Sequence, residues 1–289
     1  MKPYMSIAVS ALMIAISSQA MAKVKIVASF SILGDMVTQI AGDDAEVTTI
    51  VGPDADAHLY MPNASDAVSV TQADMIFING LGFETWIADL IENSGTKAEV
   101  ITATEAVTPL MVEGQIDPHA WNSLSNGLLY IEAITKALVR YDAKNKEGYL
   151  ARSAAYKDRL QALDKYAKDA LARLGQEEQV VVTAHDAFGY LADAYGMQFL
   201  APVGIDTDAE PSARELAALI DYLQSVKAKA LFVENITNDS LIAQIASETG
   251  IEIGGRLYSD ALSVRGGPAT SYLAMYEHNL EALITALSR

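Results

Sequence analysis

Four histidines occur in the 289-residue chain, and three of them share a setting. His58 lies in "VGPDADAHLYMP", His119 in "QIDPHAWNS" and His185 in "VVVTAHDAFGY". Each comes at the end of an apolar or strand-like run, just before a segment with helical spacing. In open α/β sheets, ligands bind in the crevice beyond the carboxyl ends of the strands. Three imidazoles at such ends therefore point to one shared site, and the chemistry they offer together is metal ligation. Their separations of 61 and 66 residues fit no short metal signature. A single strand-end histidine also serves as a cap or a core hydrogen-bond partner, and Asp54 and Asp56 suit a turn on their own account. The fourth histidine, His278, falls in "YLAMYEHNLEALITAL", an amphipathic terminal segment, and reads as a surface or packing residue. Glu234, closing the run "ALFVE", either faces solvent or orients a neighbouring imidazole.

The elements that must position these residues alternate between strand and helix. "KVKIVASF" (23–30) reads as a strand, and Ile32, Met36 and Ile40 have helical spacing over 31–41. A strand over 46–51 leads into the His58 loop, and Asn63 and Ser65 offer helix caps. "DMIFING" is a third strand and "ETWIADLIEN" the helix after it. The plan repeats with "QVVVTA" (179–184), "DAFGYLADAYG", "MQFLAPVG", "EPSARELAALIDYLQSV", "ALFVEN" and "SLIAQIASETG". Such alternation predicts an α/β fold of two similar lobes, each a parallel sheet flanked by helices. Between them, 143–174 has no proline and a single glycine. It predicts one long rigid helix with a stripe of Leu150, Leu160, Leu163, Leu171 and Leu174, a strut of roughly 45 Å that lets the lobes rock only slightly. The expected divisions are 1–22, 23–142, 143–174 and 175–289.

The first division reads as a cleavable export signal, with Lys2, the apolar run 7–16 and Ala20-Met21-Ala22. Without it the chain carries 19 basic against 37 acidic residues, a net charge of −18. That balance weighs against nucleic acid and anionic membranes as partners. No cysteine is present, so the chain has no disulfide and no cysteine for a lipid anchor. A free periplasmic protein of a Gram-negative bacterium is expected.

"VGPDADAHLYMPNASD", "NGLGFETW", "DPHAW", "HDAFGYLADAYG", "EPS" and "GRLYSDALS" occur in an order that resembles the zinc- and manganese-binding solute-binding proteins of ABC importers, the TroA-like family. The similarity spans essentially the whole chain after residue 22. It implies two α/β lobes joined by one long helix, with metal held at their interface. It also implies ligands at His58, His119, His185 and Asp260. Residues alone make Asp260 a turn or cap aspartate in "YSDAL". The implied protein is no enzyme. It is a monomeric periplasmic receptor that delivers its ion to an inner-membrane ABC permease and its ATPase, with a metallochaperone as a further candidate partner.

Three nitrogens and one carboxylate favour Zn2+ over Mn2+, which prefers oxygen. Manganese members of the family often carry glutamate where this chain has His185. Against zinc, residues 59–118 contain no histidine, whereas many Gram-negative zinc receptors have a histidine-rich insertion there. Two other classes make distinct demands. A zinc hydrolase keeps an open ligand position and a base, and H-E-x-x-H, G-x-S-x-G and the P-loop are all absent. A chelate receptor needs a wider cleft without converging ligands. Gly266-Gly267 would let the Asp260 loop move, or simply close a turn.

Overall fold

The computed structural model describes residues 23–174, 180–209, 211–226 and 228–289. The export signal expected at 1–22 lies outside them. The first sheet is parallel and holds β1 (Val24–Phe30), β2 (Ala45–Val51), β3 (Met75–Ile78) and β4 (Glu99–Thr102) in the order β2-β1-β3-β4. β1 is buried at every position but Lys25, as an inner strand covered on both faces must be. Between these strands run α1 (Ser31–Ala41), α2 (Ala64–Gln72) and α3 (Ile87–Ser94). The Asn63 side chain caps α2 by accepting from the Ser65 N–H, while Asp66 reaches back to the Asn63 N–H.

The second sheet is built from β7 (Val180–Val182), β8 (Gln198–Leu200), β9 (Ala230–Glu234) and β10 (Ile253–Leu257), again all parallel, in the order β10-β9-β7-β8. Its helices are α6 (Gly189–Tyr195), α7 (Ala213–Val226) and α8 (Ser240–Thr249). In both sheets the first strand has the second on one side and the third on the other, with the fourth beyond. The two lobes are therefore wound alike, as the alternation predicts. Each has a topological switch point between its first and third strands, where the connections diverge and leave a crevice.

Three features lie between the sheets, of which only the long helix was legible as an element. A short antiparallel hairpin, β5 (Leu110–Val112) with β6 (Gln115–Asp117), precedes His119. α4 (Leu124–Tyr141) follows, capped by Ser123. α5 (Lys146–Leu171) is the long helix, extended at each end by a 3-10 turn, Ala143–Asn145 and Ala172–Leu174. Its buried stripe is Tyr149, Ser153, Tyr156, Leu160, Leu163, Ala167 and Leu171, so Leu150 is exposed rather than in the seam. The rings of Tyr149 and Tyr156 pack inward in its place, and the Tyr149 hydroxyl keeps a polar partner, donating to Asp142 at 2.7 Å.

α5 is not a free strut. It packs on α1 and α4 of the first lobe and on α6 and α9 (Tyr272–Leu287) of the second. α9 is itself a second tie between lobes. The Tyr272 hydroxyl donates to the Trp121 carbonyl at 2.6 Å, and the Tyr276 hydroxyl to the Asn122 carbonyl at 3.1 Å. One continuous apolar cluster consequently runs from β1 through α5 into α9, and a smaller one fills the far face of the second sheet. Among the described residues, no helix is long and apolar enough to cross a membrane.

Candidate metal centre

His58 is presented by the loop after β2. That loop turns at Asp54, whose φ is +53°, and at Asp56, whose carboxylate accepts from the His58 N–H at 2.8 Å. The Trp86 indole donates to the Ala57 carbonyl and fixes the loop from beneath. His119 does not end a strand of the parallel sheet. It follows the β5–β6 hairpin and enters a 3-10 turn, Ala120–Asn122. His185 lies beyond β7 and Glu234 ends β9, so these two flank the switch point of the second sheet. Asp260 follows β10.

The structure brings all four predicted residues together. One ligand-type atom from each of His58, His119, His185 and Asp260 lies within 4.8 Å of the others. The three imidazoles direct Nε2 inward. His58 Nε2 is 3.2 Å from His119 Nε2 and 3.1 Å from Asp260 Oδ2, and His185 Nε2 is 3.2 Å from the same oxygen. His119 Nε2 to Asp260 Oδ2 is 3.7 Å. Bonds of about 2.0–2.1 Å to a tetrahedral ion would set ligand atoms roughly 3.3 Å apart. Three of the edges, at 3.1–3.2 Å, lie near that spacing, and a fourth is 3.7 Å. His119, His185 and Asp260 are fully buried, and Asp260 Oδ1 is buried with no hydrogen-bond partner. Nitrogens facing one another beside an unsatisfied carboxylate oxygen form a cradle whose chemistry suits a divalent cation.

Behind each imidazole stands a carboxylate. Asp117 Oδ1 lies 2.8 Å from His119 Nδ1 and also accepts the His119 backbone N–H. Glu234 Oε2 lies 2.7 Å from His185 Nδ1, off the line of an ideal hydrogen bond. Its Oε1 accepts from the Ala184 and His185 N–H groups. Glu234 is completely buried, so it orients an imidazole and does not face solvent. Asp206 Oδ1 lies 3.3 Å from His58 Nδ1. The Asp117 hydrogen bond places the proton of His119 on Nδ1 and leaves its Nε2 free to ligate, while Glu234 and Asp206 stand at ion-pair distance from theirs. Sequence reasoning missed Asp117 and Asp206. Asp117 stands two residues before His119 in "DPHAW", a signal that could have found it, whereas nothing local marks Asp206.

The charges set the protonation. Burial alone would lower the His119 pKa, but Asp260 and Asp117 overcome it and push it up to about 9. His185 is likewise buried, yet Glu234 and Asp260 hold it well above the usual imidazole range. Burial alone would raise Asp260, and the two imidazoles hold it well below the carboxylate range instead. Without metal, imidazolium charge takes the place of the cation.

Other sequence expectations resolve around this centre. His278 is a packing residue, bonded through Nε2 to the Arg256 carbonyl and set edge-on to Tyr258. Gly266 has φ +95°, and Gly267 donates to the Val264 carbonyl. A Cβ on Gly267 would lie 2.7 Å from the Ser263 side chain. Ser263 in turn exchanges hydrogen bonds with Ala269. These glycines close a knit turn.

The chain matches the family model described as zinc-uptake complex component A, periplasmic, over residues 26–286. It is 33% identical over 266 residues to the manganese-binding lipoprotein MntA of Halalkalibacterium halodurans, covering 92% of this chain and 89% of that one. To the iron-binding protein YfeA of Yersinia pestis it is 35% identical over 269 residues, covering 90% and 85%. The solved structure of the periplasmic zinc-binding protein TroA from Treponema pallidum superposes with a TM-score of 0.89 at 29% identity, over 93% of this chain and 100% of that one. These relatives are named for the metals they bind. Another is the manganese ABC transporter substrate-binding lipoprotein PsaA of Streptococcus pneumoniae, 33% identical over 278 residues, covering 92% of this chain and 90% of that one. The chain belongs to the zinc-uptake complex component A family of metal-binding, substrate-binding components of ABC transporters.

Proposed function

We propose that this protein captures free Zn2+ outside the cytoplasm, holds it between its lobes through His58, His119, His185 and Asp260, and hands it to an inner-membrane ABC permease driven by its ATPase. The observation that carries the reading is the convergence of three Nε2 atoms and one carboxylate oxygen at tetrahedral spacing. Three borderline nitrogen donors suit zinc better than an oxygen-preferring ion. The lobes are residues 23–142 and 175–289, with the linking helix over 143–174 and an export signal over 1–22. We place it outside the cytoplasm, in the periplasm, and as a monomer; MntA carries the name lipoprotein.

A second reading takes Mn2+ as the cargo. Relatives named for manganese and iron favour it, and so does the unpartnered Asp260 Oδ1. Binding through both carboxylate oxygens would raise the coordination number to five, which suits a larger, oxygen-preferring ion. Competition separates the two. Chelator-stripped protein is offered equal excess zinc and manganese, and bound metal is counted by elemental mass spectrometry, with His185→Glu alongside. One equivalent of zinc with almost no manganese, and loss of that preference in the variant, supports the zinc receptor. Appreciable manganese in the wild type supports the second reading. No metal at all overturns the four-ligand site.

A further inference from the structure

The three outer carboxylates are not equivalent. Asp117 and His119 belong to the first lobe, and Glu234 and His185 to the second, so each pair is complete within its own lobe. Both carboxylates are fully buried. His58 differs, because it belongs to the first lobe while Asp206, the carboxylate 3.3 Å from its Nδ1, belongs to the second and is 55% exposed. The next residue repeats the crossing. Thr207 donates through its hydroxyl to Asp56 Oδ2 at 2.6 Å, and the other oxygen of Asp56 holds the His58 N–H. Successive residues of one lobe thus grip the backbone and the ring of one histidine of the other.

We infer that Asp206 is a cross-lobe positioning residue, which orients the His58 imidazole only while the lobes are together and so makes His58 the ligand that governs metal exchange. The inference rests on the proposed metal site and goes beyond it. His119 and His185 keep their orienting carboxylates whether or not the lobes meet. His58 loses its own as soon as they part, at the same moment that it loses Asp260 across the interface. Opening therefore strips one imidazole of both its carboxylate partners, leaving it only its edge-on contact with Phe83 and its own loop, and leaves the other two aligned for recapture. The exposed carboxylate also gives this edge of the site the only one of the three outer partners that water can compete for.

The test is zinc release from the loaded full-length protein into excess chelator, followed by stopped flow, with zinc affinity measured in parallel. Asp206→Ala is expected to release zinc about tenfold faster, the lower end of what loss of an orienting partner costs in affinity. Asp206→Glu, which keeps the carboxylate, should restore most of the wild-type rate. Nitrogen-15 NMR of the zinc-loaded protein supplies a readout that mere loosening of the fold would not give. The His58 Nδ1 resonance should shift in Asp206→Ala while those of His119 and His185 stay in place. Asp208→Ala, which removes an exposed acid from the same loop, controls for surface charge. Release unchanged in Asp206→Ala, or equally accelerated in Asp208→Ala, overturns the role of Asp206. Equal movement of all three histidine resonances does the same. A wild type that takes up no zinc ends the metal-receptor reading itself, a failure distinct from these.

Discussion

At the scale of single residues, the proposed metal centre would trade protons for metal. His119, held up to about 9 by Asp260 and Asp117, carries a proton in the metal-free protein at neutral pH. An entering cation must displace it, so binding releases protons. Affinity should keep rising above pH 6.5, the ordinary imidazole value, where an unperturbed histidine site would already have levelled off. The sign for stability follows by linkage. Because the folded value of His119 is raised, its contribution to the metal-free protein is complete below 6.5 and is lost as pH climbs through about 9. Asp260, held low, contributes above its ordinary value and loses that contribution only as pH falls through its depressed one. Metal-bound protein has exchanged the imidazolium pairs for coordination bonds and does not share the loss at high pH. The gap in melting temperature between zinc-loaded and chelator-treated protein should therefore widen from pH 6 to pH 8.5. A gap that narrows over this range would contradict the assignment. Asp117→Ala should lower zinc affinity by about 10–100-fold, as loss of an orienting carboxylate does, while His119→Ala should abolish binding, both read by titration calorimetry.

At the scale of elements, positioning depends on close approach. α6 begins at Gly189, where a Cβ would lie 2.5 Å from Asp117 Oδ2. Gly189→Ala must push that carboxylate aside or shift the start of α6. Either movement disturbs His119 from the opposite lobe, without touching a ligand. The expected outcome is weaker zinc binding with native circular dichroism, and unchanged affinity would show that the carboxylate has room to move. In α5, Leu160 is completely buried, and Leu160→Ala should cost about 2–5 kcal/mol in chemical denaturation, whereas Leu150→Ala, on the exposed face, should cost far less. Elements whose patterns are strong were legible in the sequence. α1 begins and ends where its apolar spacing does, and β1, β9, α8 and α9 lie where their runs predict. The hairpin before His119 was not legible, since three-residue strands carry too little periodicity to declare themselves. The α5 seam was half legible, because a count of leucines overlooked the buried rings of Tyr149 and Tyr156. The same limit explains the site. Three ligands announced themselves as rare histidines at strand ends. Asp260 needed family likeness, because aspartate in a turn is ordinary, and Asp206 needed the fold itself, because its partner is 148 residues away in the chain.

At the scale of the whole molecule, the question is how a buried ion leaves. Held as proposed by His58, His119, His185 and Asp260, three of them fully buried, an ion would have no open coordination position for exchange by substitution. Release then requires that ligands from the two lobes separate. The α5 and α9 ties between the lobes are made of packed side chains and tyrosine hydrogen bonds. The lobes also meet through loop contacts at Asp54, which donates its N–H to the Leu262 carbonyl and accepts from Asn235 and Val264. Two further bonds between lobes are buried, from the Leu262 N–H to Ser31 Oγ at the start of α1 and from the Trp121 indole to the Ser259 carbonyl. Loop hydrogen bonds at a rim open at lower cost than a packed helical seam, so the lobes should part at the metal edge while the helices hold. A disulfide engineered between the 52–58 loop and the 261–264 loop tests this directly. Oxidised protein loaded with zinc should release it far more slowly than the reduced form and fail to support transport in reconstituted permease, with dithiothreitol restoring both. Undiminished transport by the locked protein would mean that the ion escapes without separation of the lobes. The ligand atoms of a single lobe would then have to let go of it alone, and the cross-lobe grip on His58 would have no part in delivery.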